Sequence, residues 1–478
     1  MTANFDFLRG QTEYALFSTA CIEAERVLAT SPAMAAVGSR KAFELAVKWV
    51  YSADNTIFMP YKDNLQALIH EPSFKFAVDS QTWNKLPYII KLGNLAVHTE
   101  KAIDRSEAVL SLSALFEFIQ WVDYCYGQNY EERSFDEAKI PAEKVILDEA
   151  KIKEKDSLIE QKEAEILALR AQVEAMSERF TAEKTQHKEE RQFIPGDISE
   201  FLTRKKYIDV DLKLLGWVLG DDVREEVPVE GMPNPEGKGY VDYVLYGKDG
   251  LPLALIEAKR TSKDPKIGTH QAKLYADCLE RMTGRRPILF TTNGFETYLW
   301  DDLTSPQRKV SGIFSKADLQ KLINRRSQRK ALNEIPIDDK ITDRYYQKEA
   351  IRAVCDSVET GHRKSLLVMA TGTGKTRTAS SLTDVLSRGG YITNTLFLAD
   401  RTALVKQAKD DFKNYLPDMS LCNLLSNKDD KNARIVFSTY PTMLNAIDTA
   451  KNAEGQRLFS PAHFDLIIID DAVILGLN

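Results

Sequence analysis

The chain has 478 residues, with 64 Lys+Arg against 70 Asp+Glu, a net charge of −6 and 43% hydrophobic residues. At about 150 residues per domain there is room for about three domains with real cores, which excludes disorder as the main state. The acidic balance excludes a globally basic nucleic-acid coat but leaves local basic grooves open.

No run of 18 or more apolar residues stands in the sequence, and MTANFDFLRG has no basic stretch leading into an apolar one. Neither a membrane span nor a secretory signal is expected. Cys21, Cys125, Cys278, Cys355 and Cys422 sit far apart with no CxxC pair. This usage predicts a cytoplasmic, reducing environment and argues against both a disulfide framework and a cysteine zinc site.

Residues 1–130 read as a helical bundle: 40–51 and 107–126 space apolar side chains three and four apart, with turns around Pro60, Pro72 and Pro87. Residues 131–195 read as a charged helical linker. Ile152, Ile159, Ile166, Val173 and Phe180 recur every seven residues. The positions three later, Lys155, Lys162, Leu169, Met176 and Glu183, are mostly polar. One stripe without its partner predicts a long solvated helix packing along one edge, ended by Pro195-Gly196, and not a self-sufficient coiled coil.

From 196 to 330 the pattern becomes mixed. Residues 240–246 and 253–258 are β-type runs around a turn at 247–250, and 288–292 and 297–300 are further strands around Asn293-Gly294. Asp242 lies on the first strand, Glu257 and Lys259 on the second. Residues two apart on a strand share a face, so Glu257 and Lys259 point together and Asp242 can join them from the neighbouring strand. Two converging carboxylates are oxygen ligands for Mg²⁺, which polarises a phosphate and activates water. Lys259 would orient that water or stabilise developing charge. On the following helix Gln271 and Tyr275 are one turn apart on one face. Together these residues resemble the PD-(D/E)xK nuclease core, with Val241 before the Asp. The resemblance implies that Asp242, Glu257 and Lys259 are catalytic, that Asp242 and Glu257 hold metal, and that Gln271 and Tyr275 support DNA binding. A polar, basic stretch, RRSQRK at 325–330, separates this region from the next.

From 340 to 478 strands at 366–369, 396–399, 434–438 and 466–469 alternate with helices at 376–386 and 402–415, the pattern of a parallel sheet with right-handed crossovers. MATGTGKT at 369–376 places a Gly-rich turn between strand and helix, where backbone N–H groups cradle phosphate. The first-Gly position of the strict P-loop holds Met369. The AxxGxGKT form of superfamily-2 motors fits instead. That resemblance assigns Thr371, Gly372, Thr373, Gly374, Lys375 and Thr376 to ATP, with Thr376 on Mg²⁺ and Gln347 spaced as the adenine reader. Residues 397–408 and 435–444 resemble motifs Ia and Ib, with Arg401, Thr439 and Tyr440 as DNA contacts. FDLIIIDDAV then delivers Asp470 as a second Mg²⁺ ligand, beside Asp471. These motors carry Glu-Ala-His after the first Asp. Here Asp471, Ala472 and Val473 follow, a shorter carboxylate where positioning of water matters.

The order of helical domain, charged helix, ExK nuclease with QxxxY and MATGTGKT motor resembles the restriction (R, HsdR) subunit of type I restriction–modification enzymes. The fold class this implies is multidomain α and α/β: helical bundle, long charged helix, nuclease core and a first RecA-like lobe. The domains expected are 1–130, 131–195, 196–330 and 340–478. The implied activity is Mg²⁺-dependent double-strand DNA cleavage with ATP-dependent translocation, in a complex with methylation and specificity subunits. Only one RecA-like lobe fits after residue 340, so the reading expects truncation within motif II. It also expects weak nucleotide binding, no DNA-stimulated ATPase, and an unpaired apolar end at VILGL. Two alternatives remain: a non-catalytic remnant that only binds DNA and ATP, and a stand-alone DNA helicase.

Overall fold

The computed structural model describes residues 3–60, 63–98, 103–142, 169–196, 207–259, 263–426, 430, 432–448, 458–470 and 474–477. The chain divides into two compact units, residues 1–210 with 260–262, and residues 211–259 with 263–478. The first is helical and the second α/β.

In the first unit, helices Ala15–Arg26, Pro32–Ala53, Ser80–His98 and Arg105–Tyr126 pack together. Their starts are written locally. Ser31 Oγ accepts the Met34 N–H ahead of Pro32, and Asp104 and Glu107 form a reciprocal capping box. Helix Arg105–Tyr126 is long and apolar enough to cross a membrane, yet 89% of its most apolar window is buried in the bundle, so it serves as a core helix. Trp49 stands at the centre, its ring centroid 5.4 Å from Tyr14, 5.4 Å from Tyr126 and 5.3 Å from Phe180.

Phe180 belongs to the charged stretch. Helix Ser177–Glu190 lies against the bundle, with Val173 and Phe180 buried. Ion pairing fixes it there: Lys184 pairs with the fully buried Asp54, which also accepts from Tyr126 OH at 2.7 Å. The described part of the stripe, Val173 and Phe180, thus faces inward. The other stripe positions, Ile152, Ile159 and Ile166, lie outside the described residues.

The second unit holds two six-stranded sheets. The first sheet runs in chain order: β1 Val223–Glu230, β2 Lys238–Tyr246, β3 Pro252–Ala258, β4 Ile288–Thr292, β5 Thr297–Trp300 and β6 Arg308–Val310. All pairs are antiparallel except β3–β4, which helix Thr269–Thr283 joins as a crossover. All seven residues of β3 are buried, which is why LALI reads as a continuous apolar run. β1 and β6 carry no clear sequence signal. β1 contains Pro228 and three exposed glutamates, tolerated because it is an edge strand.

In the second sheet the order is β7-β12-β11-β8-β10-β9, with β7 Lys364–Leu366, β8 Thr395–Ala399, β9 Leu421–Asn423, β10 Ile435–Thr439, β11 Leu466–Ile469 and β12 Ile474–Leu477. The parallel arrangement predicted from the strand–helix alternation holds for β11, β8, β10 and β9. The apolar end does not stay unpaired. The β12 backbone runs antiparallel to both β11 and β7 and fills the gap between them, giving ladder partners to groups that would otherwise be open.

The basic stretch at 325–330 is more than a separator. Its first residues end helix Lys316–Gln328, capped by Ser315 and lying between the two sheets with Leu319 fully buried. Towards the first sheet, Arg326 pairs with Asp301 at 2.8 Å and donates to the Arg286 carbonyl at 2.5 Å. Towards the second, Arg325 meets Asp465 at 2.5 Å, Lys321 lies 3.4 Å from the same carboxylate, and Ser460 donates to Asp318. The sequence reads as solvated because its charges are many. The fold buries Arg325 and half-buries Arg326 because each finds an opposite partner.

Candidate functional site

The ends of β2 and β3 build the first site. The register Tyr243↔Ile256 sets Asp242 and Glu257 opposite each other on adjacent strands. Asp242 Oδ2 accepts the Ala258 N–H at 2.7 Å, so this carboxylate is tied to the strand that carries Glu257. Glu257 is 2% exposed, and Lys259 Nζ lies 2.6 Å from its Oε1. The Lys259 backbone N–H donates to the Thr292 carbonyl at 2.8 Å, extending the β3–β4 ladder past the end of β3.

Helix Thr269–Thr283 brings the remaining predicted residues. Lys259 Nζ reaches Gln271 Oε1 at 3.5 Å, and Gln271 Nε2 donates to Tyr275 OH at 2.8 Å. Burial pushes the Tyr275 phenol above its usual range against the Gln271 bond, and the nearby charges of Glu257 and Asp242 push it further. All five residues of this predicted constellation therefore lie in one connected group. Among the described residues no three His, Cys, Asp or Glu side chains cluster as a complete protein metal cage. Two carboxylates suffice for a hydrated Mg²⁺ that completes its shell with water and phosphate. The Lys259 ammonium on Glu257 shows that this corner accepts positive charge.

The second predicted group centres on the loop before helix Lys375–Arg388. Gly374 caps that helix at φ 86° and Gly372 adopts φ 81°, the left-handed region that favours glycine. The Thr373 hydroxyl donates to the Ala370 carbonyl at 2.6 Å, closing the turn, while Thr371 is exposed. Lys375, Thr376 and Asp470 line one cavity of about 20 Å³ below the loop, so the fold brings both proposed Mg²⁺ ligands beside the loop lysine. The Asp470 N–H bonds the Leu398 carbonyl at 2.9 Å, which seats the end of β11 on β8. Asp471 lies outside the described residues.

Gln347 is 1% exposed. Its Nε2 donates to the Thr373 carbonyl at 2.8 Å and its Oε1 accepts from Thr342. In this structure the amide holds the Gly-rich loop itself. Of the proposed DNA contacts, Arg401 is 80% exposed and pairs with Asp400, and Tyr440 is exposed at the start of helix Tyr440–Asp448. Thr439 is buried, and its hydroxyl donates to Thr442 at 3.0 Å.

Two residues beside the first site escape a reading from sequence. A Cβ on Gly268 would come 2.9 Å from Glu257 Cγ and 3.1 Å from Lys259 Cε. Gln307 Nε2 donates to Thr269 Oγ1 at 3.0 Å and lies 3.5 Å from Thr291 Oγ1. Neither stands in a motif, and only the tertiary structure brings them to the site.

Comparison with known proteins covers both groups. Residues 222–308 match the family described as Type I restriction enzyme R protein N terminus, and residues 340–472 match the Type III restriction enzyme res subunit family. The chain is 31% identical over 283 residues to the type I restriction enzyme EcoAI endonuclease subunit of Escherichia coli, covering 54% of this chain and 33% of that one. It is 24% identical over 297 residues to the EcoKI endonuclease subunit of Escherichia coli strain K12, covering 51% of this chain and 25% of that one. The chain thus spans a third or less of these curated relatives. A solved HsdR-subunit fragment of a type I restriction enzyme from Vibrio vulnificus YJ016 is 26% identical, covering 58% of this chain and 52% of that one, with a TM-score of 0.24. The two matched regions stand in this order in one chain, and with the two E. coli endonuclease-subunit relatives they make it similar to the HsdR subunits of type I restriction enzymes.

Proposed function

We propose that the protein cuts double-stranded DNA at Asp242, Glu257 and Lys259 with Mg²⁺, and binds ATP at residues 370–376 with Asp470. It would do so within a complex of methylation and specificity subunits. The observation that carries this reading is the convergence of Asp242 and Glu257 at adjacent strand ends, with Lys259 2.6 Å from Glu257 and linked through Gln271 to Tyr275.

Asp242 and Glu257 would hold the ion, which when bound polarises the scissile phosphate and lowers the pKa of an attacking water. Lys259 would place a positive charge where the oxygens of the pentacoordinate transition state gain negative charge. Gln271 and Tyr275, on the helix behind it, keep the ammonium from swinging away. At the second group, the N–H groups of the left-handed loop and the start of helix Lys375–Arg388 face phosphate, and Lys375 adds charge.

The test is cleavage of a supercoiled plasmid carrying an unmethylated target, by the full chain alone and with methylation and specificity subunits. Cleavage should require Mg²⁺ and be complete only in the assembly with ATP. A fully assembled complex that leaves the plasmid intact at saturating Mg²⁺ and ATP sinks the reading. Asp471 in place of Glu favours nucleotide binding with slow turnover, so a fluorescent ATP analogue should bind the isolated chain without matching phosphate release.

The loop gives a sharper prediction. Gly374→Ala would put a Cβ 2.5 Å from Gln347 Nε2 at a φ of 86°. The left-handed conformation alone costs about 1–2 kcal/mol for a non-glycine residue. Affinity for the ATP analogue should fall about tenfold or more, since about 1.4 kcal/mol is tenfold. Unchanged affinity on titration would mean that the loop does not hold the nucleotide.

A further inference from the structure

The turn between β3 and helix Thr269–Thr283 presses on the proposed metal site from one side. It is a 3-10 segment, Pro265–Gly268, capped by Asp264 Oδ1, which accepts the Lys266 N–H at 2.9 Å. The Lys266 ammonium sits 5.0 Å over the Tyr298 ring on β5, a second hold on the turn.

Gly268 ends this segment at φ −77°, a conformation open to any residue. Backbone freedom is therefore no reason for glycine here. Space is the reason: a Cβ would meet Glu257 Cγ at 2.9 Å and Cβ at 3.7 Å, the stem of that side chain, and Lys259 Cε, beside the ammonium, at 3.1 Å. Real Cβ atoms essentially never come within 3.0 Å of another heavy atom, so Glu257 would have to shift, and the end of Lys259 would have to give by a few tenths of an ångström.

Gln307, in the segment before β6, fastens the same corner. Its amide donates to Thr269 Oγ1 at 3.0 Å, the residue after Gly268, and lies 3.5 Å from Thr291 Oγ1. Thr291 is the partner of Glu257 in the β3–β4 register. One amide thus ties the turn that carries Gly268 to the strand that flanks Glu257.

We propose that Gly268 and Gln307 are positioning residues for the Glu257–Lys259 pair, and that they set how tightly the site binds a divalent cation. The inference rests on the metal-site reading above and adds residues that no motif contains. Gly268 admits the turn to contact distance, and Gln307 holds it there. Together they confine Glu257 and Lys259 to the arrangement in which carboxylate and ammonium meet.

The experiment measures Mn²⁺ binding to the full chain by electron paramagnetic resonance, with melting midpoints recorded for every variant. Wild type should bind Mn²⁺, and Asp242→Ala should lose that binding. Gly268→Ala should weaken it about 10–100-fold, the range for lost supports of metal ligands, at an unchanged melting midpoint. Gln307→Leu, which keeps bulk and removes the donor, should weaken it about tenfold. If Gly268→Ala also lowers the melting midpoint, Gln307→Leu decides. Wild-type affinity in both variants, with Asp242→Ala inactive in binding, overturns this inference and leaves the metal site standing. A wild type that binds no more Mn²⁺ than Asp242→Ala overturns the metal site and the inference with it.

Discussion

Asp242→Ala and Lys259→Ala should each slow Mg²⁺-dependent DNA cleavage by the assembled complex about 10²-fold or more, the scale for losing one electrostatic contact to a transition state. Asp242 is the more informative position. Its Oδ2 accepts the Ala258 N–H, so alanine removes a structural bond of about 1 kcal/mol together with the charge. Asp242→Asn separates the two effects: its amide oxygen keeps an acceptor for Ala258, while the negative charge needed by a cation is gone. Cleavage lost in Asn as in Ala, with the melting midpoint restored in Asn, assigns the defect to charge. Lys259→Ala removes the ammonium from Glu257 and Gln271 without breaking a backbone bond. ATP-analogue binding should be unchanged in all three variants, because none contacts residues 370–376. Plasmid linearisation within threefold of wild type in either alanine variant would rule out this site as the nuclease centre.

The second large effect is on stability. Asp465→Ala should destabilise the α/β unit by about 3–5 kcal/mol, the range for removing one partner of a buried ion pair. Arg325 and Asp465 are 5% and 4% exposed, and they meet at 2.5 Å. The carboxylate also accepts the Thr393 and Asn394 N–H groups at 2.8 and 2.9 Å, which alanine would leave open. Burial works against the Asp465 charge, but Arg325, Lys321 and the Asn394 N–H outweigh it and hold its carboxyl below the usual range. A folded pKa below the unfolded value of about 3.9 means the stabilisation is present above that value. It is lost as pH falls through the folded pKa. The gap between wild type and Asp465→Ala in denaturant midpoints should therefore be full near neutrality and close in acid. A gap under about 1 kcal/mol at pH 7 would show the pair to be energetically minor.

This pair also joins the two sheets. Helix Lys316–Gln328 ties Asp301, just after the first sheet's β5, to Asp465, just before the second sheet's β11, through neighbouring arginines. Residues 325 and 326 leave the helix about 100° apart, so a short basic stretch serves two partners.

Much of the α/β unit is legible in the residues. β4, β5, β11 and helix Thr402–Tyr415 fall where apolar runs and helical spacing put them, because buried strands and amphipathic helices carry strong local patterns. β1 is not legible, because Pro228 and three glutamates contradict a strand unless it is an edge, and edge status belongs to the sheet. β12 is not legible either, since its antiparallel place depends on a gap between β7 and β11 that no local window shows.

The candidate site divides the same way. Asp242, Glu257, Lys259, Gln271 and Tyr275 are readable because strand period two and helix period four put them on common faces. So is the left-handed Gly372-x-Gly374 turn, because glycine is the residue that adopts it without strain. The sequence by itself determined the chemistry-bearing residues and the order of the elements that carry them, since both rest on local periodicity. Only the tertiary structure decided that Gly268 lies against Glu257, that Gln307 ties Thr269 to Thr291, that Gln347 holds Thr373, and that Arg325 and Asp465 share a buried bond. These contacts join residues up to 140 positions apart, and such pairs come from how sheets and helices stack, which no spacing along the chain encodes.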